Sequence, residues 1–243
     1  MEKIALKKSF EISKLFKTLN INEDKQKTLE LSHLCKFMMF FKDLSITELS
    51  EKPDFILKNK NKTIGIEHQI VVNKKYKEKE GYYQNIFNKA IEILKENKDL
   101  PDFLVNCQIN ENFKFKSYQK QNIIELVSKI IEEYVLNEYL MDNPIIEEIL
   151  MLPHSQKSAS IQFDEGEQNW ITEKIIYEAI NKKELKLKNY LSTNIDEQWL
   201  LLVIGSLKNS SYEINMNLKM EIESKFDKIY ILEDFNKNLY QLK

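Results

Sequence analysis

The chain has no arginine, and its 243 residues include only four glycines, four prolines, three histidines and two cysteines. Without arginine, any phosphate must be held by flexible lysine point charges rather than by planar bidentate forks. Gly65, Gly81, Gly166 and Gly205 are isolated from one another, so neither a P-loop nor a dinucleotide-binding fingerprint can be written. His33, His68 and His154 form no i, i+4 pair and have no cysteine nearby, which removes the zinc motifs. No Gly-x-Ser-x-Gly elbow occurs. Cys35 and Cys107 lie inside apolar runs without metal-type spacing and are expected to be buried free thiols. No stretch of about 18 apolar residues is present, which argues against a membrane span. Residues 1–20 lack the apolar core of a secretory signal, so a cytoplasmic protein is expected. Charge of one sign is also missing: 36 Lys+Arg against 38 Asp+Glu leave a formal charge of -2. No global basic field points to nucleic acid, and any phosphate-binding surface has to be local.

What is present reads as an α/β protein. Its length, 42% hydrophobic and 30% charged residues, suits one domain over 1–243. Apolar spacing predicts helices over 2–19 and 25–42, the second carrying Leu29, Leu31, Leu34, Phe37, Met38 and Phe41 as a core-facing stripe. After Pro53, residues 54–57 and 63–72 are β-rich, separated by the polar turn Lys58 to Lys62, and read as a hairpin. Residues 73–81 read as a loop and 83–95 as a helix. Strands are expected at 102–109 and 158–163, and helices at 119–142 and 170–190. The continuous apolar run Trp199–Ile204 suggests a strand buried on both faces. Residues 228–233 close the sheet, with a frayed tail beyond. An acidic run between Glu132 and Glu148 would repel nucleic acid and is expected away from any substrate groove.

The remaining chemistry lies in Lys52-Pro-Asp-Phe55 and Ile64-Gly-Ile-Glu-His-Gln69. If these segments are neighbouring antiparallel strands, Asp54 and Glu67 fall at the same end of the hairpin. Two converging carboxylates suit a hard cation such as Mg²⁺, with waters completing its shell. Glu67 stands in an apolar strand, where an acid is costly unless paired or metal-bound. Alternation puts Ile64, Ile66, His68 and Ile70 on one face, and Gly65, Glu67, Gln69 and Val71 on the other. The competing reading is an edge strand with Glu67 in water and Asp54 as a turn or cap residue.

Pro53-Asp54 and Glu67-His68-Gln69 resemble the two elements of the PD-(D/E)XK, or restriction-endonuclease-like, nucleases. The resemblance implies a mixed central sheet flanked by helices in the order αβββαβ. Helix 25–42 would be the first element, followed by strands 54–57, 63–72 and either 102–109 or 158–163, helix 170–190 and strand 199–204. The core would span 25–205, with a helical extension at 1–24, a helical insertion at about 117–150 and a strand extension over 206–243. It further implies that Asp54, Glu67 and the backbone carbonyl of His68 hold Mg²⁺ or Mn²⁺, and that Gln69 takes the place of the family's lysine. An amide cannot supply that lysine's charge, though it can orient water. A migrated lysine could come from Lys74, Lys75, Lys182 or Lys183, and Glu30 resembles an additional acid found in some members. The function implied is metal-dependent hydrolysis of nucleic acid, DNA foremost, in defence against phage or mobile elements. The alternative is an inactive nuclease-fold binding module acting through a protein or nucleic-acid partner. A homodimer is compatible with both.

Overall fold

The computed structural model describes residues 25–50, 52–110, 112–114, 116–163, 169–187, 194–206, 209–214 and 221–243. The helix expected over 2–19 lies outside them. The chain divides into two compact units, the first built from Met1–Val72 and Asn169–Lys243, the second from Asn73–Gln168. One domain with a helical insertion at about 117–150 was the expectation from sequence. The segment between the two halves of the first unit instead carries a sheet and a core of its own.

In the first unit, helix α1 (Lys25–Met38) precedes strands β1 (Leu44–Leu49), β2 (Phe55–Asn59) and β3 (Lys62–Ile70). These three form an antiparallel meander. The chain returns to the unit with helix α4 (Glu173–Leu187), then strands β7 (Glu197–Ile204), β8 (Lys228–Glu233) and β9 (Asn238–Gln241). The sheet order is β1-β2-β3-β7-β8-β9, with β3, β7 and β8 parallel and β9 antiparallel to β8. β3 and β7 are thus interior strands, hydrogen-bonded on both sides.

Periodicity decides which helix covers which face. Leu31, Leu34, Phe37 and Met38 of α1 pack with Leu57, Ile64, Ile66, Trp199, Leu201, Val203, Tyr230 and Leu232. Ile176, Ala179, Ile180 and Leu187 of α4 pack with Leu200, Leu202, Ile204, Ile229 and Ile231. Alternate residues of β7 and β8 therefore enter two different cores, one on each side of the sheet. This explains the unbroken apolar run at 199–204. The sheet does not end in a frayed tail, because β9 adds a further strand beyond β8.

The second unit contains helix α2 (Lys74–Glu96), strand β4 (Phe103–Ile109), helix α3 (Lys120–Asn137) and strands β5 (Ile146–Pro153) and β6 (Ser158–Phe163). Its sheet has the order β5-β4-β6. One core joins Ile86, Phe87, Ala90 and Leu94 of α2, Val127, Ile130 and Ile131 of α3, and Phe103, Val105, Cys107 and Ile109 of β4. No helix among the described residues is long and apolar enough to cross a membrane.

Three expectations are corrected here. Segments 102–109 and 158–163 are not strands of the first sheet, since they pair with each other in the second unit. The third strand of the meander is Leu44–Leu49, at the edge of the sheet, whose polar Ser45, Thr47 and Glu48 conceal its β character. The stretch after Asn73 is helix rather than loop: Asn73 Oδ1 accepts from the Tyr76 backbone N–H and caps α2.

Candidate functional site

The carboxylates meet because of strand register. β2 and β3 are antiparallel and Phe55 pairs with Ile66, so the residue before the first and the residue after the second are neighbours. These are Asp54 and Glu67. Pro53 lies over Gly65, where a Cβ would stand 2.8 Å from Pro53 Cγ and 2.7 Å from Gln198 Oε1. The missing side chain at 65 is what allows the segment carrying Asp54 to come down onto β3. The backbone N–H of His68 then donates to Asp54 Oδ2 at 2.7 Å.

Glu67 is 1% exposed, in an interior strand. That excludes the edge-strand reading with Glu67 in water. Its Oε2 accepts from Lys183 Nζ at 2.7 Å, and the same ammonium lies 3.4 Å from Asp54 Oδ2. The opposite oxygen, Glu67 Oε1, is buried without a hydrogen-bond partner among the described residues, and so is Gln69 Oε1 two residues along the same strand face. Orphaned buried acceptors carry a substantial desolvation cost.

Lys183 was one of four lysines that could have supplied the missing charge, and its position distinguishes it from the others. On α4 the buried residues are Ile176, Ala179, Ile180, Lys183 and Leu187, a single apolar stripe with one lysine in it. Lys182 is the next residue around the helix and is exposed. Lys74 and Lys75 are exposed and belong to the second unit. A lysine on a core-facing stripe is the sequence signal that would have ranked these candidates.

The other face of β3 is occupied differently. His68 points toward α1, where its Nε2 is 3.0 Å from His33 Nδ1 and the rings stack with centroids 5.1 Å apart. Burial, then the charges of His33, Lys183 and Lys27, push the His68 imidazole down to about 3. His33 is also lowered, chiefly by burial. Two neutral rings then share one proton donor between them. Beyond them, Asp234 is 3.6 Å from His33 Nε2 and pairs with Lys36. This His33–His68 contact was not anticipated. Glu30 is buried on α1, but its hydrogen bond is to Gln26 and its ion pair to Lys27, so it is not joined to Asp54 or Glu67.

Asp54 and Glu67, the His68 carbonyl and the Gln69 amide are oxygen donors of the type a hard divalent cation takes. The unpartnered Glu67 Oε1 and Gln69 Oε1 fit such a ligand. Among the described residues no group of three or more His, Cys, Asp or Glu side chains is gathered, so a cation here would rely on the amide, the carbonyl and water for its remaining ligands. No family model, curated protein or solved structure matches this chain.

Proposed function

We propose that the first unit is a restriction-endonuclease-like, divalent-cation-dependent nuclease that hydrolyses phosphodiester bonds in DNA. The observation that carries this reading is the buried cluster of Asp54, Glu67 and Lys183. It combines two carboxylates brought together by adjacent strands, an ammonium between them, and buried oxygens on Glu67 and Gln69 that have no hydrogen-bond partner among the described residues. Support also comes from the element order α1, β1, β2, β3, α4, β7, with the first three strands antiparallel and the fourth parallel to the third. With the second unit set aside as an insertion between β3 and α4, this order supports the αβββαβ reading of the resemblance, Leu44–Leu49 taking the part of its first strand.

Asp54, Glu67 and the His68 carbonyl would hold Mg²⁺ or Mn²⁺. The cation would supply an activated water and stabilise charge developing on the phosphate. Gln69 offers an amide to orient that water by hydrogen bonding. Lys183 carries the positive charge absent from the Glu67-His68-Gln69 tripeptide, and a buried ammonium stabilises an anion more strongly than one in bulk water. Lys182, exposed on the same helix, is available to a more distant phosphate. Supercoiled plasmid incubated with the protein and Mg²⁺ or Mn²⁺ should be cut, and Glu67→Ala should abolish cutting. Cleavage that survives the substitution removes this site from the reaction.

One observation favours a second reading, an inactive nuclease fold that acts through a protein or nucleic-acid partner. Lys183 already pairs with both carboxylates, and such a pair can simply be structural. Calorimetric titration with Mn²⁺ separates the two readings. A structural pair gives no binding that depends on Asp54.

A further inference from the structure

Lys183 lies on the oxygens a cation would need. Its Nζ contacts Glu67 Oε2 and Asp54 Oδ2, and the side chains of Lys183, Glu67 and Asp54 are 10%, 2% and 18% exposed, so water screens the Lys183–Glu67 pair poorly and Asp54 somewhat more. Resting on the nuclease reading, we infer that a divalent cation and an anionic phosphodiester bind this site as a coupled pair, with Lys183 transferring its charge from the carboxylates to the phosphate.

Charge balance is the physical reason. Two carboxylates and one ammonium leave a single negative charge. A divalent cation added alone turns this into a net positive charge and sets two cations against each other over the same oxygens. A phosphodiester restores neutrality and offers the displaced ammonium a new anionic partner. A lysine suits such a transfer better than an arginine would, because its charge sits on a flexible four-carbon stem and is not held in a rigid fork. Linkage makes the effect reciprocal, so that the phosphodiester raises affinity for the cation and the cation raises affinity for the phosphodiester. The competing geometry has the cation using only Glu67 Oε1 and Gln69 Oε1, which are free of Lys183; the two ligands would then bind independently.

The test is a set of Mn²⁺ titrations by calorimetry on the full chain, as wild type, K183M, K183Q and E67Q. Each is run alone and with a phosphorothioate DNA duplex, the duplex's own Mn²⁺ uptake being subtracted. We expect K183M to take Mn²⁺ alone about tenfold more tightly than wild type, and the duplex to tighten wild-type binding about tenfold but that of K183M less than about threefold. K183Q, which keeps a polar contact to Glu67, serves if the apolar side chain prevents folding as judged by circular dichroism. Equal Mn²⁺ affinities for wild type and the lysine variants overturn the inference while leaving the metal site intact. A wild-type affinity that the duplex does not change overturns it as well, with no variant required. Failure of the nuclease reading has a different signature, in which no chain shows Mn²⁺ uptake that E67Q removes, and both proposals fall together.

Discussion

At the scale of single residues, a missing Cβ matters as much as any functional group. A methyl at position 65 would lie 2.7 Å from Gln198 Oε1, 2.8 Å from Pro53 Cγ and 3.1 Å from Ile195 Cδ1. Gly65→Ala should therefore destabilise the protein by about 1–3 kcal/mol, the usual cost of overpacking. It should also displace Asp54 from Glu67 and weaken Mn²⁺ binding by more than the stability loss explains. Urea unfolding and a Mn²⁺ titration on the same preparation measure the two effects. Neighbouring lysines give a sharper contrast. Lys183→Ala leaves two carboxylates without their shared cation and should cost about 3–5 kcal/mol, as breaking a buried ion pair does. Lys182→Ala, one residue away and exposed, should stay within about 0.5 kcal/mol of wild type. Similar unfolding midpoints for the two variants would contradict the burial assigned to Lys183.

At the scale of elements, legibility followed the strength of the pattern. The hairpin of β2 and β3 could be read because turn residues separate two β-rich runs, and antiparallel pairing then brings Asp54 and Glu67 together. β7 could be read because burial on both faces leaves an uninterrupted apolar run. β1 could not: Leu-Ser-Ile-Thr-Glu-Leu is an edge strand with polar residues facing outward, and a half-exposed strand leaves little signal. The start of α2 was hidden because its first turns are charged and exposed, and it is held by a cap at Asn73 rather than by an apolar stripe. The contact between His33 and His68 was out of reach for another reason. It depends on α1 and β3 meeting 35 residues apart in sequence, and no local pattern encodes that. This contact makes the tie between the two elements sensitive to acid. His68 is pushed from 6.5 down to about 3 in the folded chain, whereas the unfolded chain takes up its proton near 6.5. Stability is thus unaffected above that value and falls as pH drops from 6.5 toward 3, by on the order of several kcal/mol for this group. Urea unfolding midpoints across that interval should decline in wild type and decline less in His68→Gln.

At the scale of the whole molecule, the chain was expected to be one domain and is two compact units, the second lying in sequence between the two halves of the first. Composition gave no warning, because the junctions near Val72 and Asn169 bear no glycine-, proline- or serine-rich linker. Each unit holds one free cysteine; Cys107 in β4 is buried as expected, whereas Cys35 in α1 is only half-buried, and desolvation pushes both thiols up to about 12. Cys107 should not react with a thiol reagent at pH 8 in the native protein, since little thiolate is present and the side chain is buried, and half-buried Cys35 should react only slowly for want of thiolate. In graded denaturant, Cys35→Ser and Cys107→Ser single-thiol chains should report separately on the opening of the second and the first unit. Labelling of both in the native state within minutes would contradict the packing described. The sign of the alkaline effect follows from the same values. The unfolded thiols ionise from about 9 while the folded ones hold their protons to about 12, so stability is lost as pH rises through that window and is unchanged below it.

Glu67 and His68 are adjacent in β3, yet one engages α4 and the other α1. The whole site is therefore a matter of odd and even positions. Removing one residue from the Lys60-Asn61 turn while the strands keep their pairing would put the imidazole of His68 in the place of Glu67, facing Lys183, the amide of Gln69 in the place of His68, facing His33, and the Glu67 carboxylate in the place of Ile66, within the apolar core under α1. Length in that turn is consequently under tighter constraint than its exposed residues suggest. Substitutions at Asn61 should be tolerated, as should Gly or Asn at Lys60, whose φ of 53° disfavours β-branched residues, and single insertions or deletions should not.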